Sequence, residues 1–291
     1  MSELIMILVG GVKIGSIYAL AALGIVVIHK ATRVVNFAQG GLVLLGAYGA
    51  YVFIVEMRWP YWMAYVVIPA IVGCVAVLIE IVVLRRMRRG DLFPVVIATI
   101  FLGIALSEGY RLSTRAEILS VPSFVSTMPF VIGSVVISPE QLWVTFGALL
   151  AAAAGIAIFQ HGRVGRSMRA MASNVRGAQL CGYSIDRVYG MTWFLGGALA
   201  GYAGVFTAPV RGVSSELAIA TVAAAFVAAV IGGFDSLIGA VAGGLILGVS
   251  ETLAAAYISS AMKSAISFLL LFVVLAIRPQ GLFAPKKVRS V

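Results

Sequence analysis

Long apolar runs separated by short polar or basic stretches organise this chain. A helix that crosses the hydrocarbon of a bilayer needs ~20 predominantly apolar residues. Runs of that kind lie at Leu4–Ile28, Val34–Val55, Trp62–Leu84, Leu92–Glu108, Gln141–Phe159, Met191–Val210, Leu217–Ile231, Leu237–Tyr257 and Ser264–Ile277. The seventh is short and the ninth slightly short. The pattern predicts an all-α polytopic membrane protein with about eight to nine transmembrane helices, forming one transmembrane domain over residues 1–291. The first run carries Lys13 and lacks a small-residue cleavage site followed by a soluble domain, so it reads as an ordinary span and not a signal peptide.

The loops carry the basic residues in clusters. Lys30 and Arg33 follow the first run, and Arg85, Arg86, Arg88 and Arg89 the third. Arg163, Arg166, Arg169, Arg176 and Arg187 follow the fifth, and Arg278, Lys286, Lys287 and Arg289 the last. All four clusters fall on one side if the N-terminus is outside and the C-terminus cytoplasmic, as the positive-inside bias requires. The same parity requires the short seventh run to cross. The segment 109–140 reads as an external excursion, with Pro122, Pro129 and Pro139 and a β-branched run, Phe130–Ile137, suited to a short hairpin.

Composition narrows the class. The chain is 62% hydrophobic and 11% charged, with a mean hydropathy of +1.08, and lipid is the solvent that tolerates this balance. A net charge of +10 could suggest nucleic acid, but its confinement to short loops between apolar runs points to the bilayer instead. Cys74 and Cys181 have neither disulfide context nor metal-ligand spacing. His29 and His161 sit at membrane edges and build no triad or metal cluster. No G-x-x-x-x-G-K-[ST] loop occurs, so this chain does not hydrolyse ATP by that route.

Four features could carry mechanism. Gly197/Gly201, Gly239/Gly243 and Gly244/Gly248 have the small-xxx-small spacing that lets helices approach closely in lipid; the alternative is that some of these glycines hinge a gate. Val35–Gly41 places Asn36 and Gln39 near the start of the second run, where unsatisfied amides cost several kcal/mol. This predicts a broken or re-entrant segment lining a cavity, an N-cap by Asn36, or both. Glu80 is expected to pair with Arg85, and Glu108 with Arg111 or Arg115, at the membrane surfaces. At ~1.5 Å per residue, Lys13 lies about 13 Å and Glu251 about 9 Å below their outer helix ends, which predicts either a buried pair between them or a place on the substrate path. Finally, Gln160–Gly190 is basic, with a helix expected over Ser167–Leu180 and stopped at Gly182. Its apolar Met168, Met171, Ala172 and Val175 fit either a partner's groove or an anionic lipid surface.

Taken together, these motifs resemble the permeases of the branched-chain amino acid ABC importer family over nearly the whole chain. The resemblance rests on Asn36-Phe37-Ala38-Gln39-Gly40 with Gly46-Ala47-Tyr48, and on Gly165-Arg166-Ser167-Met168-Arg169-Ala170 with Asn174, Arg176-Gly177-Ala178, Gly182 and Asp186-Arg187. It extends to Ala228-Ala229-Val230-Ile231-Gly232-Gly233, Gly243–Gly248, Glu251 and the tail Arg278-Pro279-Gln280-Gly281-Leu282-Phe283. It implies a translocation path at Asn36, Gln39, Gly40, Tyr48 and Glu251; Lys13, which is not typical of the family, joins that path by its depth alone. It implies ATPase coupling through Arg166, Arg169, Asn174, Arg176, Ala178, Gly182 and Asp186, within a cytoplasmic loop at 160–190. The implied machine sits in the bacterial cytoplasmic membrane. It contains a second permease, identical or homologous, two ATPase subunits that hold ATP and Mg, and an external solute-binding protein. This chain itself would carry no cofactor. Gln39 stands where the family commonly has His, Arg176 where Glu is common, Gly177 where Ala is common, Ala224 where Lys is frequent and Asp235 where a small residue is frequent. The cargo implied is a branched-chain or related amino acid, with urea, short amides and small aromatic or carboxylic acids as alternatives. An ion-coupled carrier using Lys13 and Glu251, or a passive channel, would be a different class.

Overall fold

A computed structural model describes residues 2–87, 92–125 and 128–283. Arg88, Arg89, Lys286, Lys287 and Arg289, part of the expected basic clusters, lie outside the described residues. The helices are α1 (Ser2–Thr32), α2 (Gln39–Glu56), α3 (Tyr61–Met87), α4 (Leu92–Ser113), α5 (Pro139–His161), α6 (Arg163–Ser173), α7 (Val175–Leu180), α8 (Ile185–Arg211), α9 (Glu216–Gly232), α10 (Leu237–Tyr257) and α11 (Lys263–Ile277). All nine apolar runs therefore form helices, the second only from Gln39 onward. Seven of them, α1 to α5, α8 and α10, are long and apolar enough to cross a membrane, while α9 and the apolar part of α11 are shorter. The segment 109–140 contains the expected hairpin, β1 (Phe130–Ile132) and β2 (Val135–Ile137), with Val131 opposite Val136 and Gly133 at φ 63° in the turn.

Helix α1 is the centre of the bundle. Every residue from Gly15 to Ile28 is buried, so this helix shows no polar face. That is the behaviour of a helix surrounded by protein on all sides. It packs on α10, α8, α5 and α9. The glycine pairs serve helix packing. Gly244 and Gly248 face α1, where an added Cβ would strike Ala19 and Gly15. Gly239 and Gly243, on the other side of α10, press against Gly232 and Ala228 of α9. Gly197 and Gly201 of α8 meet Ala76 and Pro69 of α3. With no water to expel between helices in lipid, this close backbone approach is the main source of association.

The basic clusters gather at one end. Lys30 donates to the Asp235 carbonyl at 2.9 Å, Arg33 pairs with the Asp235 carboxylate at 3.4 Å, and Arg85 lies 3.8 Å from Asp186. Here the tail closes α9: Leu282 N–H donates to Ile231 O at 2.8 Å and Phe283 N–H to Gly232 O at 3.2 Å. Gly281 has φ 90° and packs on Gly233. The opposite end holds the Leu119–Val213 bridge and the Ser107 hydroxyl donating to Ser215 O at 3.0 Å. Helix α9 therefore runs from one end to the other despite its length, as the charge parity requires.

The expected Lys13–Glu251 pair is not formed. Lys13 lies 3.6 Å from Glu140 at the start of α5, and Glu251 faces Lys263 instead. The face of α1 turned to α10 carries Gly11 and Gly15. Two residues on from Gly11 is about half a helical turn, which points Lys13 away from α10. The surface pairs hold: Arg85 donates to Glu80 at 3.0 Å and Arg111 to Glu108 at 2.6 Å.

Glycine packing gives a direct test. A Cβ at Gly204 would collide with the backbone at Val43 and Ala47, whereas one at Gly109 meets nothing within 4 Å. Gly204→Val should lower the thermal stability of the detergent-purified protein by about 1–3 kcal/mol or more. Gly109→Ala should be neutral or stabilising by up to ~1 kcal/mol. Thermal unfolding of the two variants side by side would show both shifts.

Candidate functional site

Polar side chains concentrate at three places in the bundle. The first is the break between α1 and α2. Arg33 takes φ 60°, and residues 34–38 leave the helix. The chain passes into the bundle, because the Phe37 N–H donates to Thr99 Oγ1 at 3.2 Å and Gln39 reaches Gly196, in the middle of α8. Non-helical backbone at such depth survives only where protein supplies its partners. Asn36 and Gln39, both fully buried, supply them. Asn36 Oδ1 accepts from Ala38 N–H at 3.0 Å, its Nδ2 donates to Gln39 Oε1 at 3.2 Å, and Gln39 Nε2 donates to Gly196 O at 3.2 Å. The helical path is thus broken between α1 and α2, and Asn36 closes the turn at 36–39, but the expected N-cap is not formed: the cap residue of α2 is Ala38, with no side-chain bond. Gly24 and Gly40 make room: a Cβ at Gly24 would overlap the Gln39 amide, and one at Gly40 would strike Ala218 O. Tyr48 lies farther along α2, ring to ring with Tyr110 at 5.4 Å, beside a cavity of about 250 Å³ between α2 and α4.

The second place surrounds Glu251. Tyr18 donates to Glu251 Oε2 at 2.9 Å and Ser267 to Oε1 at 2.6 Å, while Lys263 Nζ stands 3.7 Å from Oε2. Arg211 donates to the Tyr18 hydroxyl at 2.7 Å and lies over the Tyr18 ring at 5.4 Å. A cavity of about 180 Å³ opens against these groups, walled by Ala220, Ala223, Ala224 and Val227 of α9 and by Phe268. The residues expected along one path are therefore divided. Asn36, Gln39 and Gly40 are locked in the interior, Tyr48 lines a separate cavity, Glu251 lines this one, and Lys13 pairs elsewhere. Sequence reasoning missed Tyr18, Arg211, Ser267 and Lys263. Arg211 and Lys263 had a signal, being lone basic residues at helix ends on the side where basic residues are scarce.

The third place is the basic loop. The helix expected over Ser167–Leu180 is split at Asn174, whose backbone is extended at φ −156° and whose Oδ1 accepts from Gly177 N–H at 2.8 Å. An Asn side chain competes with helical hydrogen bonding and suits a cap. Gly182, at φ 86°, ends the second piece, and Ala178 is buried as its anchor. Met168 and Met171 are buried in this protein's own core, so the expected partner-facing stripe is not available to a partner. Arg169 is also turned inward, donating to Phe159 O. The exposed residues include Arg166, Asn174, Val175, Arg176, Leu180, Gly182 and Asp186, with Leu180 at 87%.

A multi-span helical bundle with polar groups buried along its interior belongs to the class of membrane permeases. Residues 7–275 match the family described as branched-chain amino acid transport system, permease component. The chain belongs to that family. It is 32% identical, over 97% of its length and 96% of the relative's, to the high-affinity branched-chain amino acid transport system permease protein LivH of Escherichia coli K12. It is 30% identical to the corresponding protein BraD of Pseudomonas aeruginosa, covering 98% and 97% of the two chains. A probable branched-chain amino acid permease of Methanocaldococcus jannaschii shares 28% identity over 95% and 91%. The protein is thus a multi-pass permease component and not itself an enzyme.

The Asn36–Gln39 lock can be tested by a near-isosteric change. Gln39→Leu leaves Asn36 Nδ2 and Gly196 O without the amide they bond to, and a buried group so stranded costs about 1–3 kcal/mol. The variant should insert normally but unfold at a lower temperature than wild type in a detergent melt.

Proposed function

We propose that the chain is the translocation subunit of an ATP-driven importer for branched-chain or related amino acids, receiving its solute from an external binding protein. A second permease, identical or homologous, completes the channel. Two ATPase subunits hold ATP and Mg and supply the energy. The support for cargo comes from the relatives, whose names specify branched-chain amino acid transport. The support for ATPase docking is the short helix α7, capped at one end by Asn174 and closed at the other by Gly182, on the end of the bundle where the basic clusters meet. A preformed, exposed helical turn with Val175 and Leu180 outward suits insertion into a partner's groove. In this reading the basic end is cytoplasmic, the N-terminus is outside, and the membrane is the bacterial cytoplasmic membrane. Arg166, Arg176 and Asp186 then form the polar rim of the contact, while Arg169, Asn174, Ala178 and Gly182 hold its shape. An ion-coupled carrier built on a Lys13–Glu251 pair has lost its geometric basis, since the two residues have separate partners.

Affinity purification of this permease co-expressed with its transport operon should recover an ATPase pair. Val175→Glu with Leu180→Glu should abolish that recovery without changing the permease's membrane insertion or gel-filtration profile. Solute uptake by the purified chain alone in liposomes, without ATPase, would refute the reading.

A further inference from the structure

The cavity beside Glu251 has a composition that helix packing alone does not require. Three ionisable side chains meet there from three helices: Arg211 from the end of α8, Glu251 from α10 and Lys263 from the start of α11. The Glu251 side chain is only 6% exposed, whereas Lys263 is 32% exposed and Arg211 is open to the surface. Charges within the membrane-spanning part of a protein face a water-filled path or a protein partner, because facing lipid is costly. The wall opposite is made of Ala220, Ala223, Ala224 and Val227, one face of α9 at helical spacing, and these short side chains leave the space unfilled.

Charge decides what the space would hold. Arg211 and Lys263 are two cations, and Glu251 is one anion. In a partly desolvated cavity each of these charges is worth far more than in water. Of the guanidinium's five donors, the contact to Tyr18 takes one. Glu251 accepts from Tyr18 and Ser267, and a carboxylate has about four acceptor positions. A solute with one carboxylate and one ammonium matches this pattern, its carboxylate on the two cations and its ammonium on Glu251. An amide or urea brings neither a carboxylate to the two cations nor an ammonium to Glu251.

We propose that this cavity recognises the zwitterionic head of an α-amino acid near the outer mouth, with Arg211 and Lys263 binding its carboxylate and Glu251 its ammonium. Tyr18 and Ser267 are positioning residues that fix the Glu251 carboxylate, and Tyr18 also braces Arg211. The location fits entry and not exit: Arg211 and Lys263 stand at the end of the bundle opposite Asp235, Arg33 and Arg85. The proposal rests on the importer reading and deepens it by choosing amino acids over neutral cargoes.

The test uses the whole complex, permease pair, ATPase pair and cognate binding protein, in proteoliposomes with L-leucine as the probe. Arg211→Gln with Lys263→Gln should cut ATP-driven leucine uptake at least about tenfold, the scale of one lost charge-assisted hydrogen bond. Assembly of the detergent-purified complex, read by gel filtration, should be unchanged. Arg211→Lys with Lys263→Arg, which keeps both cations, should restore most of the uptake. Where the double Gln variant fails to assemble, Lys263→Gln alone carries the test, since its described contact is the 3.7 Å approach to Glu251; it should lower uptake in the same direction. Unchanged uptake in the Gln variants, or loss in the charge-retaining swap equal to theirs, would overturn the proposal. Wild-type complex without ATP-driven uptake would overturn the importer reading itself, a result seen before any variant is made.

Discussion

Close approach at glycines underlies both interior polar sites, through α10 on one face of α1 and through α8 on the opposite face. Gly11 and Gly15 meet Gly248, and Gly244 meets Ala19, so the two backbones touch with no side chain between them. One turn farther along α1, the same alignment brings the Tyr18 hydroxyl to Glu251. Still farther, Gly24 clears the space taken by the Gln39 amide, and Ile28 packs on Gly196. A helix with larger residues on the α10 face would stand off from α10 by ångströms and lose the Tyr18–Glu251 bond. Close packing in lipid is thus the condition on which the polar chemistry rests.

The interior break follows from the same constraint in another form. Hydrocarbon offers no hydrogen bonds, so a chain that leaves the helix at Arg33 must bring its own partners. Asn36 serves the turn, Gln39 ties it to α8, and Thr99 takes the Phe37 N–H. These residues are fully buried, and their bonds tie the turn to α4 and α8. A residue in this position can be a rigid strut without touching solute, which separates Asn36 and Gln39 from Glu251, whose carboxylate borders open space.

Much of this was legible in the sequence. Apolar runs located nine helices, and charge parity required the short α9 to run the full depth. The glycine spacings marked helix contacts, and the run Phe130–Ile137 marked a hairpin. Pairings across the bundle were not legible, because the depth of two charges does not fix the direction in which each points. Lys13 and Glu251 have compatible depths, yet Lys13 leaves α1 on the side of Glu140. The loop shows the complementary failure. Met168 and Met171 have an amphipathic spacing that cannot distinguish burial in the protein's own core from burial in a partner. Asn174 was read within a continuous helix because its capping bond competes with helical bonding only once the turn is formed.

The departures from the family pattern separate along the same lines. Asp235 is answered at the surface by Arg33 and Lys30, so its charge is a local matter of the α9–α10 corner. Gln39 keeps a donor and an acceptor engaged at once, which a neutral imidazole can also do, so the exchange with His preserves the lock. Ala224 is different, because it lines the cavity beside Glu251. A small side chain there keeps the space open and leaves Arg211 and Lys263 as the cations that answer the glutamate. Substitutions at the corner or the lock affect how the bundle holds together, whereas those around the cavity change the charge and room offered to whatever enters it.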